Sequence, residues 1–386
     1  MNLLAHPLWL VGFRPFFALA CLAGMSLPTL WVLIHFGLLP APALPVAALQ
    51  WHAHEMFFGF GWAVLGGFLL TSTKNWVGIR GYHGAPLVIL TAAWLVERAG
   101  MWLGGAWPGW LFGLSSAGFL AAIVAMLLWT LVRYRKDDSY RDNYFFLLIL
   151  PTFLVAKHLM LDAAQFQVGI AMATGLFRVA FLVMLERTLT QFMKNIYQVD
   201  ILRHAALDRA IKLLGLVLVG AGWMPPALAA GLSLTLALLL AGRLAFWHPR
   251  LALRRIDLGI MVLGYAAIVL QLLVEFLAVA APPNWVGAFS THVFGLGVMG
   301  LIIPAMLIRI AKGHTGRKVV FDPADRAVLW IMICAFLLRV LAPQLLPASY
   351  ALWLALAATG WLAGFGILAW RLIPFLLQPR VDGKEH

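Results

Sequence analysis

Charge is what this chain has least of. Asp, Glu, Lys and Arg make up 11% of its 386 residues, and hydrophobic residues make up 63%. A water-soluble domain carries about a quarter charged residues, so a soluble fold is excluded. Acid is scarcer than base: 15 Asp and Glu stand against 28 Lys and Arg, a formal net charge of +13. Cysteine is nearly absent. Cys21 and Cys334 are the two, and both fall in apolar runs. No Cys-x-x-Cys-His occurs, which excludes covalent haem attachment of the c type, and no iron–sulfur or zinc spacing exists. The N-terminus has no basic segment followed by a cleavage site, so no removable signal peptide is expected.

What is there instead is a series of long apolar stretches divided by short basic loops. A membrane span needs roughly 20 apolar residues. The pattern predicts twelve: 16–39, 53–73, 85–105, 109–132, 143–162, 166–190, 210–224, 226–247, 256–281, 286–311, 326–346 and 349–376. The seventh is short and shares the Pro225–Pro226 hairpin with the eighth. No soluble domain fits between them. The expected fold is all-α, a polytopic membrane helical bundle forming a single integral membrane domain over 1–386.

The basic residues alternate with the spans. Most lie at Lys74 and Arg80, Arg133 to Arg141, Lys194 to Lys212, Arg250 to Arg255, Lys312 to Lys318 and the tail. Loops 40–51, 106–108, 223–226, 281–285 and 343–348 carry no Lys or Arg. The positive-inside rule then places both termini in the cytoplasm. It also accounts for the net charge through the lipid bilayer, whose anionic head groups the basic edge would meet, with no nucleic-acid partner.

Topology turns position into depth. Of the eleven histidines, His35, His52, His54, His158 and His292 fall in the outer third. Glu55, Glu97, Arg98, Lys157, Asp162 and Glu275 share that layer, and Arg178 lies near mid-depth. Ionisable groups at such positions usually face the bundle interior and mark a pathway or a cofactor site. Imidazole also ligates haem iron, copper and zinc. His54 and His292 begin spans that run inward from the outer face, each followed by glycines: Gly61 after His54, Gly295 and Gly300 after His292. That layout suits two axial ligands flanking a flat macrocycle, although small residues also permit plain close packing of helices.

His52 points about 200° away from His54 on a regular helix, so it serves a different site or an unwound helix start. Glu55 can orient a histidine, but on a regular helix not its own neighbour. His158, with Asp162 one turn later, is either a metal ligand oriented by a carboxylate or part of an interfacial ion cluster. Arg178 and Glu186-Arg187 either hold haem propionates or form an internal ion pair. Lys312-Gly313-His314-Thr315-Gly316-Arg317-Lys318 reads as a glycine-capped helix end with cations near the negative dipole.

Several of these segments together resemble one family. They are Gly12-Phe13-Arg14-Pro15-Phe16-Phe17, Trp51-His52-Ala53-His54-Glu55-Met56, Gly67-Phe68-Leu69-Leu70-Thr71, Asn75-Trp76-Val77-Gly78, and His292 with Gly313-His314-Thr315-Gly316-Arg317. The chain resembles the NnrS family of bacterial inner-membrane proteins over most of its length. The resemblance implies twelve spans, bound haem b with copper as a second metal, and a role in nitric oxide metabolism and nitrosative-stress defence. The arrangement is also similar to the core of haem–copper oxidases, which place haem histidines on the second and tenth spans. Two segments depart from the family pattern. Met261-Val262-Leu263-Gly264-Tyr265 lacks a His before the Tyr, and Arg187-Thr188-Leu189-Thr190-Gln191-Phe192 replaces an Arg-x-x-Pro-Phe-Phe-Thr run. Both weaken the case for a second metal centre.

Three functions follow from these features. One is a haem protein that binds or turns over nitric oxide, with electrons from quinol or another donor. One is a transporter of a haem, iron–nitrosyl or other small species. One is a haem-bearing sensor or assembly factor without turnover. His54, His292, His52 and Arg178 are the candidate cofactor contacts, and His54, His292, His52 and His158 the candidate metal ligands. The topology has its own test. Single cysteines placed at 137 and 283 should label from the cytoplasmic and the periplasmic side respectively, and periplasmic labelling at 137 would overturn every depth assignment above.

Overall fold

The computed structural model describes residues 3–44, 46–138 and 143–384. Arg141 and His386 lie outside them. Every regular element among the described residues is helical, so the protein is an all-α polytopic membrane protein.

The helices are α1 (Phe13–His35), α2 (Ala48–His54), α3 (Trp62–Trp76), α4 (Ala85–Leu103), α5 (Gly109–Arg133), α6 (Tyr144–Leu161), α7 (Phe166–Tyr197) and α8 (Ala205–Val217). There follow α9 (Pro226–Ala245), α10 (Pro249–Ala252), α11 (Ile256–Ala280), α12 (Phe289–His292), α13 (Gly300–His314), α14 (Pro323–Val340), α15 (Ala342–Leu345) and α16 (Tyr350–Leu377). Two seven-residue π-helices, Glu55–Gly61 and Val293–Met299, join α2 to α3 and α12 to α13. Each of those spans is therefore one helix with a widened segment inside it.

Among the described residues, ten helices are long and apolar enough to cross a bilayer, against the twelve expected. The two differences have local causes. α6 matches 143–162 but is shorter than the rest. The segment 210–224 is not a span-length helix. α8 ends at Val217 and continues as a 3-10 turn over Leu218–Trp223. Its 13 residues rise only about 20 Å at 1.5 Å each, short of a ~30 Å hydrocarbon core. Asp208 and Lys212 are buried on it, so α8 is a polar-lined packing helix.

Prolines sit inside α1, α6, α13 and α16, at Pro28, Pro151, Pro304 and Pro374, which membrane helices tolerate. Pro226 opens α9 at its first turn, where the missing N–H costs nothing. Asp322 and Asp325 form a capping box that starts α14. Large apolar side chains face outward, with Ile89 66% and Trp370 75% exposed. In a bilayer these meet lipid.

The chain divides into two compact units. The first comprises 1–166, 307–320 and 365–386, the second 167–306 and 321–364. In the first, α1 packs on α3, α4 on α5, and α5 and α2 on α6. Three family-like segments also meet there. The Phe13 ring lies 5.4 Å from that of His314, and the Phe13 N–H donates to Thr71 Oγ1 at 2.9 Å. Arg14 donates to the carbonyls of Leu376 and Gln378, closing the end of α16. Arg317 lies 4.0 Å over Phe375, and Arg380 donates to the His314 carbonyl. Gly316 has φ +79, the glycine cap that the sequence pattern predicts. Arg380 also pairs with Asp382 and holds its carboxyl down at about 2. The Gly-His-Thr-Gly-Arg segment is thus a tether for helix ends.

In the second unit, α11 packs against α9, and α8 against α9. Gly264 of α11 lets Ile302 approach closely, because a Cβ there would lie 2.4 Å from Ile302 Cγ1. Gly264→Val should destabilise the protein by about 1–3 kcal/mol through overpacking. Gly231, which has nothing within 4 Å, should accept Ala without loss. Thermal unfolding of the two purified variants in one detergent gives the ranking, and equal midpoints would contradict this packing.

Candidate functional site

The two histidines singled out as ligands have the same local architecture. His54 ends α2 and is followed at once by the π-helix Glu55–Gly61. His292 ends α12 and is followed at once by the π-helix Val293–Met299. π-helical turns are rare and are frequent at functional sites. The sequence signal was a Gly-x-Gly within two turns of each histidine, Gly59-Phe60-Gly61 and Gly295-Leu296-Gly297. Read as regular helix, it gave no hint of the wider turn.

In the first unit His54 is fully buried. Its Nδ1 donates to Glu55 Oε1 at 3.0 Å. The expectation that Glu55 could not serve its own neighbour is therefore corrected. It assumed regular helix, and the helical register changes at Glu55, the first π-helical residue. His54 Nε2 makes no hydrogen bond and stands 3.6 Å from Glu97 Oε1.

Around this imidazole lies a closed set of charges. Arg98 of α4 donates to Glu55 Oε2 at 3.0 Å and meets Glu97 Oε1 at 2.6 Å. Lys157 of α6 pairs with Glu97 and lies 5.7 Å over the Phe58 ring. Glu55, Glu97 and Lys157 are all buried. Two carboxylates thus face two cations around one imidazole. The guanidinium of Arg98 also lies against Trp94, whose indole donates to the Gly59 carbonyl. Gly59 makes the approach possible, because a Cβ there would lie 2.2 Å from Arg98 Nη1.

The other outer candidates of this unit stay outside the cluster. His52 is half-buried and stacks on Trp31, ring centroids 4.5 Å apart and planes 11° from parallel. His158 is exposed, and Asp162 uses Oδ1 to accept from the Ala164 and Gln165 N–H groups. Lys157, next to His158 in sequence, is the one that turns inward. His35 is exposed beside Trp31.

In the second unit His292 is half-buried. Its Nδ1 donates to the Ala288 carbonyl at 2.7 Å, and its Nε2 accepts from Arg339 Nη2 at 3.3 Å. A carbonyl can only accept, so the proton is on Nδ1 and the lone pair on Nε2. A Cβ on Gly295 would meet nothing within 4 Å, whereas Gly300 is filled by Trp361. Of the two glycines read as room beside His292, only Gly295 is open.

Arg178 is buried and donates to Gln271 Oε1 at 2.7 Å and to Glu275 Oε2 at 3.3 Å. It thus forms an internal ion pair with Glu275, one of its two readings. Glu186 lies in a separate ion cluster with Arg203, Lys212 and Arg243, and Arg243 also binds Asp208 and the Tyr265 hydroxyl. Tyr265, in the segment that lacks the family's histidine, is thus part of an ion network. Among the described residues, no group of three or more His, Cys, Asp and Glu could hold a metal ion.

Sequence reasoning placed Glu97, Arg98 and Lys157 in one layer with His54 without joining them. It missed Arg339 and Tyr350. The available signal was a lone arginine near the outer end of an otherwise apolar span.

Breaking one buried pair leaves a bare charge, which costs roughly 3–5 kcal/mol. Lys157→Met should therefore destabilise strongly. Adding Glu97→Gln removes one charge of each sign and should recover much of the loss. A double-mutant cycle on thermal unfolding reads this coupling, and strict additivity would show that the cluster is not electrostatically closed.

Comparison with known proteins supports one assignment. The family described as NnrS protein matches residues 7–380. No curated protein matches the chain. The match covers nearly the whole length and every helix described above, so the chain belongs to the NnrS family.

Proposed function

We propose that this protein binds non-covalent haem b, with His54 of the first unit and His292 of the second each taken by itself as a candidate iron ligand. Its role would be in nitric oxide metabolism and nitrosative-stress defence, in the bacterial inner membrane with the haem near the periplasmic face. The observation that carries the reading is the repeated histidine–π-helix junction. In each, Nδ1 is held by an acceptor; Nε2 of His54 makes no hydrogen bond, and Nε2 of His292 accepts from Arg339, a bond that iron ligation would replace.

That is the orientation metal-bound histidine requires, since the second nitrogen fixes ring and tautomer. In His54 the holder is a carboxylate, which raises ligand basicity, and Nε2 is a buried nitrogen without a hydrogen bond. In His292 the holder is a backbone carbonyl. Gly295 leaves open space where a flat ring could lie beside its helix. The residues thus fit haem ligation. When bound, haem supplies the iron that takes nitric oxide and passes electrons.

The chain's own residues would orient and insulate that site. Glu55 fixes His54, and Arg98 and Lys157 neutralise Glu55 and Glu97 so that no net charge is left beside the imidazole. The apolar walls, Phe58 among them, exclude water. Copper has no comparable fit, because no three-ligand group exists among the described residues. The proposal is therefore made for haem alone. The small ligand is nitric oxide, and quinol or another donor supplies electrons where turnover occurs. A transporter reading has less support, because the spans bearing His54 and His292 stay helical through their π segments and present no unwound ends for a substrate.

His54→Ala and His292→Ala should each abolish or severely reduce haem content and Soret absorbance in the purified protein. His35→Ala and His314→Ala should leave both near the parent level. A full haem complement with an unchanged spectrum in His54→Ala would overturn the ligand assignment.

A further inference from the structure

Among the described residues, many buried or nearly buried cations come with a carboxylate, while Arg14 and Lys312 donate to backbone carbonyls. Arg98, Lys157, Arg178, Lys212 and Arg243 each pair with Glu or Asp. Arg339 does not. It is 8% exposed, and its polar neighbours are His292 Nε2 at 3.3 Å and the Tyr350 hydroxyl at 3.2 Å. Both contacts use Nη2. The guanidinium carbon also lies 5.5 Å over the Tyr350 ring. An intramembrane cation without a counter-charge at contact distance is costly.

The surroundings are built rather than loose. Gln344 holds Val286 by two hydrogen bonds, accepting from its N–H at 3.0 Å and donating to its carbonyl at 3.1 Å. This anchors the loop that carries Gly287. Gly287 has φ +71, and a Cβ there would lie 2.8 Å from Tyr350 Oη, so the loop presses on the tyrosine hydroxyl. Phe289, Val293, Val340, Val274 and Phe336 form an apolar floor. The result is a planar guanidinium with its Nη1 and Nε edge uncommitted, beside a tyrosine whose oxygen accepts from Nη2 and whose proton remains to donate. His292 can only accept at Nε2, so it cannot bind an anion itself and serves to hold the arginine.

We propose that Arg339 and Tyr350 form a binding site for a small planar oxyanion of carboxylate or nitrite type. A guanidinium fork matches the two oxygens of such an anion, the hydroxyl adds a third donor, and the low-dielectric setting strengthens each bond. The anion is either free, as nitrite or formate, or the propionate of a bound porphyrin. The site is described with His292 Nε2 on Arg339, so it stands without iron at that nitrogen and does not need the haem reading above.

The test uses the full-length protein in nanodiscs. Sodium nitrite and sodium formate are titrated against sodium chloride at constant ionic strength, read by the thermal midpoint and by tryptophan emission. Trp285, stacked on Phe289 at 4.3 Å, is the local reporter. In parallel, haem and its dimethyl ester are compared for affinity. A free anion predicts saturable stabilisation by nitrite or formate that weakens roughly ten- to hundredfold in Arg339→Gln, the loss of a charged hydrogen bond. A propionate predicts no response to free anions, with haem binding tighter than its ester in the parent and equally in Arg339→Gln. Should Arg339→Gln fail to fold, Arg339→Lys and Tyr350→Phe are read instead, and each should weaken the same response. Parent and variant behaving alike in both assays would overturn the proposal. Haem content recorded on the same samples keeps its outcome separate from that of the haem assignment.

Discussion

The constraint on which the structure depends is that a charge removed from water must be neutralised at contact distance. Coulomb attraction grows as the dielectric falls, but so does the penalty for an unmatched ion. Around His54 the answer is a closed set: Glu55 and Glu97 against Arg98 and Lys157, drawn from three separate spans. None of the four can be read alone. Glu97 receives both cations, and Glu55 spends one oxygen on Arg98 and the other on His54. The imidazole sits inside a set of charges that sums to zero, and its orientation follows from theirs.

The π-helices are the backbone side of the same device. A regular helix would carry Glu55 away from His54. The change of register at that residue brings the two side chains together, and Gly59 leaves space for Arg98 beside the widened turn. The second unit repeats the junction with different chemistry. There the histidine is held by the Ala288 carbonyl and Arg339, with no acid beside it. The shared element is the local helix geometry, while the charge environments differ.

Much of this was legible in the sequence. Low charge and long apolar runs are enough for an all-α membrane protein, and the depth argument brought Glu55, Glu97, Arg98 and Lys157 to one layer with His54. What escaped was angular. Periodicity assumes a constant turn, so it excluded His54 as the partner of Glu55 and gave no π segment. It also left His158 open between a metal ligand and an ion cluster, whereas Lys157 faces inward and Asp162 caps a turn. The seventh span failed for a related reason: hydropathy counts apolar residues, not the 3-10 turn over Leu218–Trp223 that ends α8. Arg339 could be noticed as a lone arginine, but its contacts with His292 and Tyr350 could not, because they form only in the folded chain.

The account stands on one claim, that imidazoles held in this way carry haem. The most direct measurement is metal and pyridine-haemochrome analysis of the pure full-length protein, expressed with ample haem. The account predicts haem b, extracted completely by acid–acetone, with iron in matching amount. A protein that purifies folded, with no Soret band and no iron, would contradict it.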